Sequence, residues 1–266
     1  MLEPDVVSEL LELVSDPKVA RRRGKELQSL RGVRGVPHGE LARVANAVWQ
    51  DQRPTMREES ALTQLFGTAW EDGIVAIGLL AALLPSTPAD ALDLARDWCE
   101  RIDDHETADA MGMLILGPGA LASGGDAAKQ LLSLLRHRRP AVRRAAVMAG
   151  MAMVPEEVTG PAVAPLRAQL GTDGVMFVDK ALDDELAGLA NAALRDENPS
   201  VRKALRRVLA GWALHSPDAA EAWLGSVRGG TPKILREAVE KGAKKSRRKA
   251  RKHAEWLAQE SQESQE

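Results

Sequence analysis

Two stretches decide the fold class: RHRRPAVRRAAVMAGMAM at residues 136–153 and RDENPSVRKALRRVLAGWAL at residues 195–214. Each has a charged turn, a proline, then Val-Arg and a segment rich in small residues. Proline is favoured at the first position of a helix, so both stretches predict a helix behind the proline. The shared pattern indicates a repeated helical unit. The alternative is that any alanine-rich amphipathic helix behind a proline would look the same.

The same helical spacing extends outward along nearly the whole chain. Apolar residues recur every three or four positions, as at Val6, Leu10 and Val14, without the sustained alternation of strands. Turns rich in Pro and Gly separate segments of helix length, which predicts an all-α fold of about ten to twelve helices in antiparallel pairs. The repeated unit resembles HEAT repeats, which stack such pairs into an α-solenoid.

Composition agrees with a helical protein of a reducing compartment. Tyr is absent and Phe occurs only twice, which disfavours sheets built from aromatic residues. The single cysteine, Cys99, can form neither an intramolecular disulfide nor a thiolate metal site by itself. The acidic N-terminus does not match a secretory signal, and no long apolar run is present. We therefore expect a cytoplasmic protein without a membrane partner.

Charge is unevenly distributed along the chain. Of 36 Lys and Arg and 38 Asp and Glu, 8 basic and 4 acidic residues follow residue 240, which leaves a mildly acidic body. The expected organisation is a HEAT-like domain over residues 1–240. Residues 241–266 would form a basic helical extension with a disordered Ser/Gln/Glu end. This extension is either a solubilising terminus or a segment that grips nucleic-acid phosphates.

An acidic stretch, CERIDDHETADAMG at residues 99–112, is the strongest candidate for chemistry. Asp103 or Asp104 can cap a helix, and an acid in the first turn suits the helix dipole. Asp109 is different, because it lies four residues after His105 on the same helix face, within an apolar continuation. A carboxylate there is either paired or functional.

Two adjacent arginines, Arg143 and Arg144, form the second candidate. The arginine of a Val-Arg pair in a HEAT repeat is usually structural, which fits Arg143. Arg144 points about 100° away on the helix, and it is either a solvated surface arginine or a functional one. No phosphate-binding glycine loop, HExxH motif or cysteine pair is present, so nothing indicates a cofactor or a metal site.

Four stretches in order resemble the AlkD-type DNA alkylation repair glycosylases. They are LRGVRGVPHGELARVANAVW at residues 30–49, RIDDHETADAMG at 101–112, PAVRRAAVMAG at 140–150 and MFVDKALDDELAGLAN at 176–191. The resemblance implies a curved α-solenoid that holds duplex DNA by its backbone and excises cationic N3- or N7-alkylated purines. We expect a monomer that needs no cofactor.

The resemblance also implies residue roles, and Asp109, Arg144 and His105 are the three residues expected to take part in catalysis. Asp109 matches the catalytic carboxylate, Arg144 matches an arginine that contacts DNA in the active cleft, and Phe177 and Lys180 match the start of the next helix. The positions expected to contact DNA are Arg43, Arg143, Lys180, Lys244, Lys245, Arg247 and Arg248.

One position departs from the family pattern. The family has a tryptophan four residues before the catalytic aspartate, where this chain has His105. A histidine can stack or donate a hydrogen bond, but its ring is smaller than an indole, and in its protonated form it repels a cationic base. Two alternatives to a glycosylase therefore stay open: a non-catalytic module that recognises DNA shape, and a scaffold that binds a protein.

Overall fold

The protein is built from α-helices. The computed structural model describes residues 1–27, 29–123, 125–155, 163–170, 178, 180–227 and 230–263. This part of the chain contains no β-strand, and the predicted all-α class is confirmed. The helices are α1 (Pro4–Leu13), α2 (Pro17–Leu27), α3 (His38–Gln52), α4 (Glu59–Gly67), α5 (Trp70–Leu83), α6 (Pro88–Cys99), α7 (His105–Met111), α8 (Gly117–Ser123), α9 (Gly125–Leu134), α10 (Pro140–Met148), α11 (Val163–Leu170), α12 (Asp183–Ala193), α13 (Pro199–His215), α14 (Pro217–Ser226) and α15 (Lys233–Glu263).

The described helices outnumber the expected ones. A π-helical turn over Gly112–Leu116 joins α7 and α8 into one unbroken run, so these fifteen α-helices make fourteen separate helices. The difference from the expected number comes from three additional breaks, at residues 53–58, 68–69 and 100–104. At the first of them α3 ends on Arg53 in the left-handed conformation, with φ 44° and ψ 58°. Glycine usually occupies such a position, so an arginine there does not mark a helix end in the sequence.

Four helices form the layer that carries the candidate site. α10 packs against both α7 and α13, and α13 packs against α15. α10 and α13 begin at Pro140 and Pro199, as the two similar stretches predict. The Asn198 side chain caps α13 by accepting a hydrogen bond from the amide of Ser200 at 2.9 Å. The two similar units therefore contact each other directly, which is compatible with stacked helix pairs.

Glycines allow the helices of this layer to approach closely. A Cβ added at Gly112 would lie 2.3 Å from the carbonyl oxygen of Ala145 in α10. A Cβ added at Gly242 of α15 would lie 2.7 Å from the carbonyl oxygen of Ala210 in α13. Both distances are too short for a real contact, so α7 and α15 are seated against their neighbours at positions where only glycine fits.

One buried core connects the body of the protein with α15. The cluster of buried apolar side chains extends from Leu2 to Ala243 and includes Leu235 and Val239 of α15. α15 runs without a break across residues 240 and 241, where the sequence suggests a boundary, and its backbone is helical to Glu263. Among the described helices, none combines the length and the apolar character needed to span a bilayer.

Buried ion pairs fix the start of α7. The Asp104 carboxylate caps α7 by accepting from the amide of Thr107 at 2.8 Å, and it also accepts from Arg31 Nη2 at 3.0 Å and from Trp70 Nε1 at 3.3 Å. On the neighbouring α5, Glu71 is completely buried and accepts hydrogen bonds from the backbone of residues 34–36. The Asp104 bonds tie the first turn of α7, which begins with His105, to Arg31 and to Trp70 of α5.

Candidate active site and nucleic-acid interface

Asp109 and Arg144 form a two-point ion pair. Arg144 Nε donates to Asp109 Oδ1 at 2.7 Å, and Arg144 Nη2 donates to Asp109 Oδ2 at 2.8 Å. α7 provides the carboxylate and α10 provides the guanidinium. Paired hydrogen bonds of this kind restrict the orientation of both groups.

The two partners differ in their access to solvent. The Arg144 side chain is 5% exposed, whereas that of Asp109 is 15% exposed. Arg144 Nη1 is also engaged, because it donates to the backbone oxygen of Ser200 at 2.8 Å and to its hydroxyl at 3.1 Å. The Asp109 side chain is therefore the partner that stays partly open to solvent, while Arg144 is buried beneath it.

A groove of about 620 Å³ lies over this pair, between α7 and the two helices α13 and α15. The charged residues that line it include six cations and three acids. The cations are Arg144, Lys203, Arg206, Arg207, Lys241 and Lys245, and the acids are Glu106, Asp109 and Glu237. Arg207 Nη1 lies 3.9 Å from Asp109 Oδ2, so the second arginine reaches the same carboxylate from the wall. The floor holds Glu106 and the Asp109–Arg144 pair, whereas the walls of α13 and α15 hold the other five cations and one acid, Glu237.

A sequence comparison identifies the family. The pattern of the DNA alkylation repair enzyme family matches residues 7–253. The chain belongs to this family. No curated protein matches the chain. Membership makes DNA alkylation repair the function of the chain at the level of the family, and DNA its partner.

His105 lies in the groove of this DNA alkylation repair protein, one helical turn before Asp109. It is the first residue of α7, directly after the Asp104 cap, and its side chain is partly exposed. The imidazole and the carboxylate are thus neighbours on one helix face. The structure brings together all three residues that were expected to take part in chemistry.

Glu106 adds a second negative charge beside His105. Its Oε2 lies 3.4 Å from Nε2 of His38. Burial by itself would raise the pKa of Glu106, but the hydrogen bond and the charge of His38, followed by the charges of His105 and Arg23, lower it below its ordinary value. Glu106 therefore stays negative at neutral pH and contributes to the negative floor.

The residues expected to contact DNA have different environments. Arg143 donates to Asp196 at 2.5 Å and to the backbone oxygen of His137 at 2.8 Å, which is the structural role that the Val-Arg pattern suggests. Arg43 is exposed and pairs with Glu40 on its own helix at 2.8 Å. Lys180 is exposed and precedes α12 by three residues, while Phe177 lies outside the described residues.

The four predicted cations of the tail fall on different sides of α15. Lys245 lines the groove. Arg247 points to α14, where it donates to Glu221 at 2.6 Å and to Asp218 at 3.2 Å. Lys244 and Arg248 are exposed and are not part of the groove lining. Only Lys245 of this set is close to the candidate chemistry.

Sequence reasoning missed three cations of α13. Lys203, Arg206 and Arg207 lie at positions i, i+3 and i+4, and this spacing places them on one face of a helix. This spacing indicated a cationic helix face, although the sequence does not show that the face lies against Asp109. Within the described residues, no group of three or more potential metal ligands occurs.

Proposed function

We propose that this protein is a DNA glycosylase that hydrolyses the N-glycosidic bond of cationic N3- or N7-alkylated purines in duplex DNA. The observation that carries the proposal is the partly exposed Asp109 carboxylate on the floor of a groove with cationic walls. The walls suit the phosphates of a DNA backbone, and the floor suits a positively charged transition state.

Hydrolysis of this N-glycosidic bond does not require the protein to protonate the leaving base. In an alkylated purine of this class the base already carries positive charge, so it can leave with the electrons of the C1′–N bond without being protonated. The sugar then develops oxocarbenium character, which the negative Asp109 stabilises. A water molecule adds to C1′ and releases its proton to solvent, and the products are the free base and an abasic site.

Arg144 takes a positioning role in this proposal rather than the expected contact with DNA. Its guanidinium is buried and already bonded to Asp109 and Ser200. It holds the carboxylate with both oxygens fixed, so that no reorganisation is needed when positive charge develops above it. Contact with DNA falls instead to the exposed cations of the walls, Lys203, Arg206 and Lys241.

The test is the release of methylated purines from alkylated duplex DNA in single-turnover assays. Asp109→Asn is expected to lower the rate by about 100- to 1000-fold, the usual cost of removing one well-placed electrostatic group. DNA affinity should stay the same or increase, because a negative charge leaves the groove. Circular dichroism and thermal unfolding verify that the variant is folded.

The matched control is Asp93→Asn. Asp93 is an exposed carboxylate of α6 that pairs with Arg96 at 3.0 Å, and it does not line the groove. The Asp93→Asn variant loses the same charge and an arginine partner, as Asp109→Asn does. Its rate of base release should equal that of the natural protein. Equal rates for all three proteins would refute a catalytic role for Asp109.

A second candidate is a non-catalytic DNA-binding module, which the histidine at position 105 favours. Such a protein would bind duplex DNA with strong salt dependence and release no base. The excess of cations in the groove argues against the third candidate, a scaffold for a protein partner. The release assay with the natural protein separates the first two.

A further inference from the structure

Beyond the groove, α15 continues as an exposed arm. Every described side chain from Arg247 to Leu257 is exposed, so this part of the helix projects from the body. From Lys241 to His253 the sequence holds eight Lys and Arg and no Asp or Glu. Helices on protein surfaces commonly alternate charges to form internal pairs, and this part of α15 has one such pair, between Arg251 and Glu255.

One face of the arm extends the wall of the groove. Lys241, Lys245, Lys249, Lys252 and Trp256 follow one another at intervals of four, four, three and four residues. At about 100° per residue this spacing keeps all five on one helix face. Lys241 and Lys245 line the groove, so the other three continue the groove-facing side outward. We call these five residues the stripe.

The cations of the outer stripe are available to a ligand. Arg247 is bound by the acids of α14 and Arg251 pairs with Glu255 at 3.5 Å. Lys249 and Lys252 are exposed and have no acidic partner among the described side chains. Trp256, at the end of the stripe, is 50% exposed.

We propose that the stripe is a second DNA-backbone contact, which extends the duplex-binding surface from the groove along α15. This inference rests on the proposed function, because it assumes that the groove holds duplex DNA. From Lys241 to Trp256 the helix rises about 22 Å, which corresponds to about six to seven base pairs of duplex length. The arm thus tracks the backbone beside the lesion and adds affinity that does not depend on sequence.

The experiment compares two charge-matched double variants of the full chain by fluorescence anisotropy with an undamaged duplex, over a range of NaCl concentrations. The stripe variant is Lys249→Gln with Lys252→Gln. The control is Lys18→Gln with Lys25→Gln, which removes two exposed positive charges from α2 that do not line the groove. Both sets of residues are exposed, so both variants should fold like the natural protein.

If each stripe lysine neutralises one phosphate, the slope of log Kobs against log salt should fall in magnitude by about 1 to 2 in the stripe variant. The control should change it by less than about 0.5. Equal losses in both variants would show diffuse attraction and would overturn the proposal, as would no loss in either.

Two further measurements test the arm and the chemistry of the groove independently. Base release by the natural protein with an unchanged slope in the stripe variant would refute the arm alone, whereas a stripe-dependent slope without base release would refute the glycosylase alone. Sedimentation with phosphatidylserine vesicles should show no stripe-dependent binding. If the stripe lysines control vesicle binding and leave the DNA slope unchanged, the arm is a membrane contact and the proposal fails.

Discussion

Asp109 shows how much a single side chain depends on its partner. Arg144 binds both of its oxygens, yet the carboxylate is still partly open to the groove. From sequence, pairing and catalysis were alternatives for this residue, and the structure allows both at once. A carboxylate this close to the core needs a charged partner, and Arg144 provides it. The two hydrogen bonds from Arg144 also fix the orientation of the carboxylate beside the groove.

His105 is the residue where a single change should increase function. His105→Trp is expected to raise the single-turnover rate of base release by about 2- to 10-fold, because a neutral indole offers more stacking area and does not repel a cationic base. His105→Ala is the companion variant, which removes the imidazole without adding a ring. If the tryptophan variant is no faster than the alanine variant, stacking at this position does not contribute.

Cys99 should be inert in the folded protein. Burial, followed by the charge of Glu100, raises the pKa of the Cys99 thiol to about 12. At pH 8 the group is therefore protonated, and the reactive thiolate is scarce. Titration with Ellman's reagent should give almost no signal in native buffer and one thiol per chain in guanidinium chloride. Rapid reaction of the native protein would contradict this burial.

At the scale of helices, the close contact between α13 and α15 sets the shape of the groove. Lys203, Arg206 and Arg207 belong to one helix and Lys241 and Lys245 to the other. The width between them depends on how closely the helices approach, and at Gly242 an added Cβ would lie 2.7 Å from the carbonyl oxygen of Ala210 in α13. A larger residue at position 242 would therefore change the width of the groove without contacting Asp109 or Arg144.

Gly242→Ala should therefore weaken both stability and DNA binding. The added methyl would meet the Ala210 oxygen at 2.7 Å and the Ala213 Cβ at 2.9 Å, so α15 must shift at a cost of about 1–3 kcal/mol in the free energy of unfolding. Gly24→Ala in α2 is the control. It has open space around it and should stabilise the protein by about 0.5–1 kcal/mol through helix propensity.

Urea unfolding and duplex affinity measure the two effects. A Gly242→Ala protein as stable as the Gly24→Ala protein would show that α15 is not seated tightly at this position.

On the scale of the whole molecule, the position of the charges decides where a polyanion can bind, and the net charge does not. The chain carries a formal net charge of -2, yet six of its cations line one groove and further ones follow the arm. A mildly acidic body can thus hold DNA at one place and repel it elsewhere. The average charge of the sequence does not show this separation.

Features that depend on neighbouring residues were predictable from the sequence, and features that depend on contacts between distant residues were not. The starts of α10 and α13 were predictable, because Pro140 and Pro199 act on their own helix ends. The end of α3 at Arg53 and the meeting of Arg207 with Asp109 were not, since they depend on packing between residues distant in sequence. The basic tail was visible as composition, but only the helical register in the structure shows that Lys245 and Arg247 face different neighbours.

The place of α15 in the chain has a consequence for biosynthesis. Asp109 and Arg144 emerge from the ribosome well before Lys241 and Lys245, and a domain generally folds as a unit. Leu235, Val239 and Ala243 of α15 belong to the same buried core as the rest of the body. The groove can therefore be completed only after α15 has been synthesised, so the residues of its floor wait for those of its last wall.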